Sequence, residues 1–357
     1  MGSMSKLAIE PISCSWDFLA LVGPTASGKT RAAMRLSERY NIELISMDSA
    51  LVYQGMDIGT AKPSAHELQS VPHHLIDIRR AHEPYSAADF AVQANALVAE
   101  IRDRGAIPVV VGGTLLYFNA LVKGLDDLPA ASQDIRQNIL HQAQELGWPK
   151  MHEKLHLVDP TTAKRLAPRD SQRIARALEV WMLTGQSISS FQSKYSEQKN
   201  ELHDSNLLAC HVLSFEPRER AWLHANIERR FDQMLKNGFL KESLSFFKDP
   251  QLNAAMPSMR CVGYRQAWLF WQSIESMSGA LPDPIDLQDL VKTPQYELFV
   301  QSSLAATRQL AKRQLTWLRS MKDRHVIECD AEDFELQVQT HLDQVIDRHV
   351  LFKRFVK

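Results

Sequence analysis

The segment LALVGPTASGKTRAAM, residues 19–34, constrains the fold of this chain more than any other part of it. It contains the pattern G-x-x-x-x-G-K-[ST] at residues 23–30, directly after an apolar run and directly before a helical pattern. Gly23 and Gly28 let the backbone curl so that successive N–H groups point at phosphate oxygens, and the helix N-terminus adds partial positive charge. The sequence therefore predicts a phosphate-binding loop (P-loop) on an α/β sheet.

Short apolar runs bounded by turn residues predict the strands of that sheet. They lie at residues 17–22, 42–47, 107–111 and 208–214, with a possible last strand at 325–329. Helical patterns fall between and after them, at residues 29–40, 86–104, 217–239 and 295–321. Ser86 and Asp89 form a capping box before the second of these helices. Such alternation predicts a doubly wound, P-loop NTPase-like parallel sheet flanked by helices.

The length of 357 residues predicts two packed units. Residues 122–205 are rich in Gln, Arg, His and helix-forming residues and contain no convincing strand pattern, so they are interpreted as a helical insertion. The catalytic core is then expected at residues 1–121 and 206–330. Residues 331–357 form a C-terminal extension to which the sequence assigns no role.

Composition narrows the class of protein. An apolar content of 45% with 23% charged residues is typical of a soluble globular chain, and a net charge of −1 excludes a global basic field for nucleic acid. Four widely spaced cysteines without a CxxC pair indicate a reducing compartment and argue against a zinc site. Without a signal peptide pattern or a membrane-spanning run, the protein is expected in the cytoplasm.

The P-loop lacks the acidic partner that a kinase or ATPase needs. Those enzymes place a carboxylate at the end of a second buried strand, but the natural strand here ends in Gly-Gly-Thr at 112–114. Asp77 is a weak alternative because two histidines, expected to cap or pack, interrupt the run before it. Asp48 follows the second strand and should emerge beside the P-loop, where it is either a catalytic group or only a cap for the next turn.

Seven motifs carry a resemblance that runs from about residue 18 to residue 320. They are GPTASGKT, DSALVYQGMDIGTAKP, YSAADF, VVVGGTLLYFNALVKGL, RIARALEV, RCVGYRQ and TRQLAKRQLTWLR. Their order and spacing resemble the bacterial tRNA dimethylallyltransferases, also called tRNA isopentenyltransferases. The resemblance implies transfer of a dimethylallyl group from its diphosphate to N6 of adenosine 37, beside the anticodon, in tRNAs reading codons that begin with U.

The resemblance also implies that the P-loop, an ATP-binding motif, holds the isoprenoid diphosphate and not ATP. No water is then activated against a γ-phosphate, which accounts for the missing acid. The diphosphate-binding residues are expected to be Gly23, Pro24, Thr25, Ala26, Ser27, Gly28, Lys29 and Thr30.

The same resemblance implies a role for five side chains. Asp48 would accept the proton that N6 loses as the C–N bond forms. Lys29 and Arg220 would stabilise the charge that develops on the diphosphate, and Thr25 would donate a hydrogen bond to its bridging oxygen. Thr30 would bind Mg²⁺, the one cofactor expected.

The enzyme is expected to be a monomer. The anticodon stem-loop of the tRNA partner is expected to contact several of its segments. The six basic residues and one acidic residue at 308–324 are consistent with phosphate binding, although a solvated helix face is the usual explanation for such a run. Trp317 is expected to pack in a core more than to stack on a base. The RNA-contacting residues implied by the resemblance are Asp48, Ser49, Ala50, Leu51, Thr114, Arg136, Gln172, Arg173, Ile174, Ala175, Arg176, Arg260, Cys261, Val262, Gly263, Tyr264, Arg265, Lys312, Arg313, Gln314, Leu315, Thr316, Trp317, Leu318 and Arg319.

Three rival interpretations remain open at this point. A small-molecule P-loop kinase would use the insertion as a lid, but should carry an acid after the third strand. An enzyme that prenylates free AMP or ADP would share the P-loop and Asp48, but would not need an arginine-bearing insertion. A non-catalytic RNA-binding module would leave the complete P-loop unexplained.

Overall fold

The structure is a computed structural model that describes residues 16–124, 128–129, 132–192, 208–281 and 286–346. The chain divides into two compact units. The first unit comprises Met1–Val122 and Leu208–Lys357, and the second comprises Lys123–Leu207.

A six-stranded parallel sheet forms the centre of the first unit. Its strands are β1 (Phe18–Val22), β2 (Ile42–Met47), β3 (His73–His74), β4 (Ile107–Gly112), β5 (Cys210–Glu216) and β6 (His325–Glu328). They are ordered β3-β2-β4-β1-β5-β6, and β1 pairs with β4 and β5 in register, with Leu19 opposite Val109 and His211. The predicted parallel sheet is confirmed, and β3 is an edge strand that the sequence analysis did not predict.

Helices connect these strands and make up the second unit. The helices are α1 (Lys29–Ser37), α2 (Ala65–Ser70), α3 (Ala87–Asp103), α4 (Leu115–Lys123), α5 (Gln133–Leu146), α6 (Trp148–Val158), α7 (Pro160–Arg165), α8 (Ser171–Thr184), α9 (Arg220–Lys236), α10 (Phe239–Phe247), α11 (Tyr264–Ser278), α12 (Leu287–Leu290), α13 (Pro294–Ser320) and α14 (Phe334–Ile346). The predicted capping box of Ser86 and Asp89 is present at the start of α3. No helix among the described residues is both long enough and apolar enough to cross a membrane.

The sheet is covered on both faces because successive side chains of a strand point to opposite sides. In β1, Phe18, Ala20 and Val22 belong to one core cluster, whereas Leu19 and Leu21 belong to a second. Helix α3 packs in the first cluster and α1 packs in the second. This arrangement leaves the carboxyl ends of the strands as the edge where a ligand binds in open α/β sheets.

Helix α14 belongs to the second core cluster, although the sequence assigned no role to its segment. Phe334 is buried and meets Phe215 of β5 edge-on, with ring centroids 5.6 Å apart. Its ring also lies 3.6 Å from the position that a Cβ at Gly28 would occupy, which is the start of α1. Helix α14 therefore packs against the start of α1 and against β5 through Phe334.

The described residues of the second unit form helices and their connections, with no strand, and have their own core. Ile139, Leu155 and Ile174 are fully buried in that core and come from α5, α6 and α8. Buried Asp159 caps α7 by accepting the Thr162 N–H at 2.9 Å, and it also accepts from Ser189. Packing of three helices and a satisfied buried carboxylate make this unit a compact body of its own.

Candidate active site and RNA-facing segments

The P-loop joins β1 to α1 in the geometry that an anion requires. A Cβ at Gly23 would lie 2.9 Å from the Phe215 carbonyl oxygen and 2.8 Å from Ser27 Oγ, so no side chain fits there. Gly28 is the N-cap of α1 with φ 88°, and no side chain caps the helix. The N–H groups of the first turn of α1 are consequently left for a ligand, as in other helix N-terminal anion sites.

Lys29 lies half-buried at this loop. Its Nζ donates to the Pro24 carbonyl oxygen at 2.6 Å and more weakly to Ser27 Oγ at 3.4 Å. Burial, followed by the charge of Arg230, lowers the pKa of Lys29 to about 8, while Asp48 acts in the opposite direction. A polyanion bound in the loop would stabilise the charged form of Lys29 and so offset the effects of burial and of the Arg230 charge on its pKa.

Arg230 of α9 is the second cation at the P-loop. Its Nη1 donates to Thr25 Oγ1 at 3.2 Å, and its Nη2 donates to the Thr60 carbonyl oxygen at 2.9 Å. Burial lowers the pKa of Arg230, and the charge of Asp48 raises it.

The assignment of Arg220 as this cation is corrected by the structure. Arg220 is the first residue of α9 and is exposed, whereas Arg230 follows it by ten residues, about 15 Å along a helix axis. Arg230 is three residues after buried Ile227, on the side of α9 that faces the sheet. That spacing is the signal in the sequence that could have identified it.

Asp48 caps the turn after β2 and also lies near the two cations of the P-loop. Its Oδ1 accepts the Ala50 N–H at 2.9 Å, which is a local turn bond. Its charge also acts on Lys29, Arg230 and the Cys261 thiol, so the carboxylate lies among the polar groups of the site. Asp48 Oδ2 has no hydrogen-bond partner within the described part of the chain and is available to a substrate.

Asp77 and the two histidines before it serve the structure of the loop region. Asp77 pairs with Lys62, whose side chain is only 4% exposed. His73 bonds to the Val71 carbonyl oxygen at 2.8 Å and His74 to Glu43 at 2.7 Å, as their expected capping and packing roles require. None of the three is held toward the P-loop.

The end of β4 is closed to side chains. A Cβ at Gly112 would lie 2.0 Å from the Met47 carbonyl oxygen. A Cβ at Gly113 would lie 2.4 Å from Gln314 Nε2 and 3.0 Å from the Gly23 carbonyl oxygen. The position where a kinase or ATPase carries its metal-binding acid is therefore filled by neighbouring backbone.

Gln314 of α13 connects the P-loop to β4. Its Oε1 accepts the Thr25 N–H at 2.9 Å, and its Nε2 donates to the Gly113 carbonyl oxygen at 2.9 Å. Both ends of the amide are thus used inside the protein, which corrects its assignment as an RNA contact. Thr114, next along β4, accepts the Ser49 N–H at 3.1 Å and so holds the turn that follows Asp48.

The remaining members of the α13 segment separate by burial. Lys312, Arg313 and Arg319 are exposed, whereas Leu315 and Leu318 are buried. Trp317 is half-buried against the first core cluster, in the core position expected for it. Helical periodicity thus leaves the basic side chains facing solvent and the apolar ones facing the sheet.

The RCVGYR segment presents its two arginines in the same way. Arg260 and Arg265 are exposed, and Tyr264 between them is buried at the start of α11. Gly263 has φ 94° and caps that helix, donating its N–H to Gln266 Oε1 at 2.9 Å. Burial raises the pKa of the Cys261 thiol to about 12, so it is not a thiolate nucleophile at neutral pH.

In the second unit, two of the predicted RNA-contacting arginines share one carboxylate. Fully buried Glu179 accepts from Arg136 Nε at 2.9 Å and from Arg176 Nη1 at 2.9 Å. Arg176 Nη2 also donates to the Pro129 carbonyl oxygen at 2.7 Å. Arg173, in contrast, is 75% exposed and pairs, among the described residues, only with Asp170, which makes it the most accessible of the three.

Comparison with known proteins gives one consistent family. The family model for IPP transferase matches residues 51–321. The chain is 50% identical over 339 residues to a tRNA dimethylallyltransferase of Albidiferax ferrireducens, covering 92% of this chain and 89% of that protein. It is 51% identical over 324 residues to a tRNA dimethylallyltransferase of Acidovorax sp. strain JS42, covering 90% and 94%.

Solved structures agree with these relatives. A full-length tRNA isopentenylpyrophosphate transferase of Bacillus halodurans is 30% identical with a TM-score of 0.59, covering 93% of this chain and 97% of that one. A eukaryotic dimethylallyltransferase acting on tRNA has a TM-score of 0.67 at 22% identity, covering 93% and 76%, and so shares the fold.

Proposed function

The chain belongs to the IPP transferase family, whose relatives are tRNA dimethylallyltransferases, and from this membership we propose the reaction and its site. The enzyme transfers the dimethylallyl group of dimethylallyl diphosphate to N6 of adenosine 37 in tRNAs that read codons beginning with U. The products are N6-isopentenyladenosine and diphosphate. The observation that carries the proposal is the convergence of Lys29 and Arg230 on a P-loop beside Asp48, with no acid at the end of β4.

The P-loop cations act on the leaving group. Breaking the bond between the allylic carbon and oxygen leaves negative charge on the diphosphate, which Lys29, Arg230 and the N–H groups of the loop stabilise. Thr25 Oγ1 accepts its hydrogen bond from Arg230, so its own O–H proton is free to be donated to the bridging oxygen. The electron pair of the broken bond thereby remains on an oxygen that is held by donors.

Asp48 acts on the nucleophile. The lone pair of an exocyclic adenine amine is delocalised into the ring, so the amine must lose a proton as its new bond to carbon forms. The bond of Asp48 Oδ1 to the Ala50 N–H fixes the carboxylate, and Oδ2 is available to orient N6 and accept that proton. One C–N bond forms, one C–O bond breaks, and one proton passes to Asp48.

A magnesium ion fits the donor set at Thr30. Thr30 is the second residue of α1, and its side chain is exposed at the anion-binding end of that helix. No group of three or more His, Cys, Asp or Glu side chains among the described residues could hold a metal. A single hydroxyl suits Mg²⁺, which keeps several waters and is bound mainly through substrate phosphates, whose charge it neutralises.

The tRNA substrate is recognised through exposed cations. Arg173, Arg260, Arg265, Lys312 and Arg319 are exposed and can contact phosphates of the anticodon stem-loop. The target base has to leave the stacked loop before N6 can reach Asp48, which costs a few kcal/mol and is compensated by contacts elsewhere on the RNA. We infer that the enzyme acts as a monomer in the cytoplasm, where its tRNA substrate is found.

The test is digestion and mass analysis of tRNA after incubation with the enzyme, Mg²⁺ and dimethylallyl diphosphate. A dimethylallyl adduct on adenosine 37 is expected, and it should be absent with a Lys29→Ala control. Consumption of ATP without an adduct on tRNA would indicate a kinase. An adduct on free AMP in preference to tRNA would indicate an enzyme that makes prenylated nucleotides.

A further inference from the structure

We propose that Glu242 of α10 is a positioning residue of the active site, which holds the loop at residues 57–60 and through that loop fixes Arg230 against the P-loop. The inference rests on the proposed function for what Arg230 does, and on the hydrogen bonds of Glu242 for how Arg230 is placed.

The carboxylate of Glu242 accepts three consecutive backbone N–H groups. Oε2 accepts from Asp57 at 3.0 Å and from Ile58 at 2.7 Å, and Oε1 accepts from Gly59 at 2.9 Å. The Tyr264 hydroxyl also donates to Oε1, and its pKa is raised by burial and by the charge of Glu242, so it stays a donor. Consecutive N–H groups around one anion form a nest, in which each bond is charge-assisted.

The loop lies directly against α10, which carries Glu242, and against α11, which carries Tyr264. A Cβ at Gly59 would lie 2.2 Å from the Phe239 ring and 2.7 Å from the Tyr264 ring, so only glycine allows this approach. On its far side the loop is held by Lys62, whose Nζ donates to the Tyr53 carbonyl oxygen at 3.0 Å and pairs with Asp57. Backbone bonds to a carboxylate and a buried lysine thus define one conformation for the loop.

Thr60 follows the anchored N–H groups and connects them to the catalytic cation. Its carbonyl oxygen accepts from Arg230 Nη2 at 2.9 Å, while Arg230 Nη1 donates to Thr25 Oγ1 at 3.2 Å. The Thr60 hydroxyl instead bonds to the Met56 carbonyl oxygen at 2.6 Å, inside the loop. The direction of the Thr60 carbonyl therefore depends on the loop that Glu242 holds, and the guanidinium depends on that carbonyl.

A neutral amide at position 242 would break this arrangement. In Glu242→Gln one of the two oxygens becomes an NH₂ group, a donor that faces backbone donors. One or two of the three N–H groups would lose their acceptor, and the loop would shift. Since misplacement by about 1 Å can cost up to 10²-fold in rate, the effect should appear in the chemistry of the P-loop.

The experiment is a double-mutant cycle between Glu242→Gln and Arg230→Gln, with Glu275→Gln at an exposed position of α11 as a matched control. Two quantities are measured, the Kd of magnesium pyrophosphate and kcat on tRNA. Glu242→Gln should weaken pyrophosphate binding and lower kcat by about tenfold each. The double variant should be no worse than Arg230→Gln alone, within about threefold, because both changes remove the same placed cation.

Two outcomes would overturn the inference. One is wild-type pyrophosphate affinity in Glu242→Gln, and the other is multiplication of the two effects in the double variant. If Glu242→Gln is unfolded by circular dichroism, Glu242→Asp, which keeps the charge but withdraws the oxygens by one methylene, must show the same non-additive pattern. A wild-type enzyme that forms no prenyl adduct would refute the proposed function, whereas the pyrophosphate measurement tests Glu242 independently.

Discussion

Lys29 and Arg230 bring two positive charges to one loop before any ligand is present. Burial and mutual repulsion lower the pKa of Lys29 to about 8, so the lysine is partly neutral in mildly alkaline solution. A bound diphosphate favours the charged form, and its binding is therefore linked to uptake of a proton.

The affinity of the free enzyme for pyrophosphate should fall as pH rises through about 8. The sign follows because Lys29 is mainly neutral above its pKa, whereas the complex favours the protonated lysine. Above that pH the free-energy cost of protonating Lys29 is subtracted from the binding free energy. Isothermal titration in buffers of different ionisation enthalpy would measure both the affinity and the proton uptake. Affinity that is constant from pH 7 to 9 would contradict this linkage.

Two arginines on α9 provide a matched pair of variants. Arg230→Gln should lower kcat by roughly 10²-fold to 10³-fold, on the scale of losing one donor to a developing anion. Arg220→Gln removes the same charge from the exposed start of α9 and should leave kcat within about twofold. Single-turnover rates would distinguish them, and equal losses in both variants would return Arg220 to the site.

Asp48→Asn separates the two roles of Asp48. The asparagine oxygen can still accept the Ala50 N–H, so the turn after β2 should persist. Turnover should nevertheless fall by about 10²-fold or more, on the scale of losing a general base, with tRNA affinity little changed. Near-normal turnover, measured with saturating tRNA, would reduce Asp48 to a capping residue.

At the residue scale, the sequence predicted those site residues whose roles depend on their neighbours along the chain. The P-loop residues follow one another in the chain, and Asp48 follows a strand whose end is fixed by the sheet. Arg230 and Glu242 were missed because their roles depend on contacts with Thr25 and with residues 57–60, far from them in sequence. Gln314 was assigned to RNA through the family resemblance, although its amide is bonded inside the protein.

At the scale of elements, the strands were found where periodicity is strong and missed where it is short. Strand β2 was predicted at its observed bounds, while two-residue β3 has too few residues to show any pattern. Helices α10, α11 and α14 were not predicted, because their buried side chains pack against residues that are distant in sequence. Phe239 of α10 and Phe270 of α11 pack against Phe299 of α13, and Phe334 of α14 packs against Phe215 of β5.

Strands β5 and β6 and helix α14 meet at three histidines. His211 and His341 share a hydrogen bond between their Nε2 atoms at 2.9 Å, and the His325 ring stacks on His341 with centroids 3.6 Å apart. Burial, followed by the neighbouring histidines, lowers the pKa of His341 to about 4, and burial lowers that of His211. These elements therefore pack around a histidine cluster in which His211 and His341 favour the neutral form.

The free energy of unfolding should fall when the pH is lowered from 7 to 5. His341 should contribute about 1 kcal/mol to that fall, after allowance for its partial exposure. The sign follows because a lowered folded pKa makes the unfolded chain bind more protons below about pH 6.5. Urea unfolding at the two pH values would measure it, and His341→Gln should reduce the difference. An unchanged difference in that variant would show that other groups are responsible.

At the scale of the whole molecule, the proposed chemistry and one of the proposed RNA contacts, Arg173, belong to different compact units. The P-loop, Asp48 and Arg230 lie in the first unit, and Arg173 lies in the second. The order and spacing of motifs along the chain predicted the family, because they are preserved in sequence. Which arginines are free to contact RNA could not be predicted, because it depends on partners such as Glu179 that only folding brings near.

Affinity for tRNA and affinity for the diphosphate should therefore respond to different variants. Arg173→Gln should weaken tRNA binding and reduce the slope of log K against log salt by up to about one unit, for one lost phosphate contact. The Kd of pyrophosphate should stay at its wild-type value. Filter binding of tRNA across a salt series would test this prediction. An unchanged slope would contradict it and would favour the rival interpretation in which the insertion is a lid for a small-molecule acceptor.

The crowded end of β4 has an evolutionary consequence. A hydrolase built on a P-loop needs an acid near that point, but here the backbone of β2 and the amide of Gln314 occupy the space beside Gly112 and Gly113. A single substitution at either glycine would push apart the strands that hold the loop before it could recruit a water molecule. Evolution of ATP hydrolysis on this scaffold would therefore require coordinated changes in β2, β4 and Gln314.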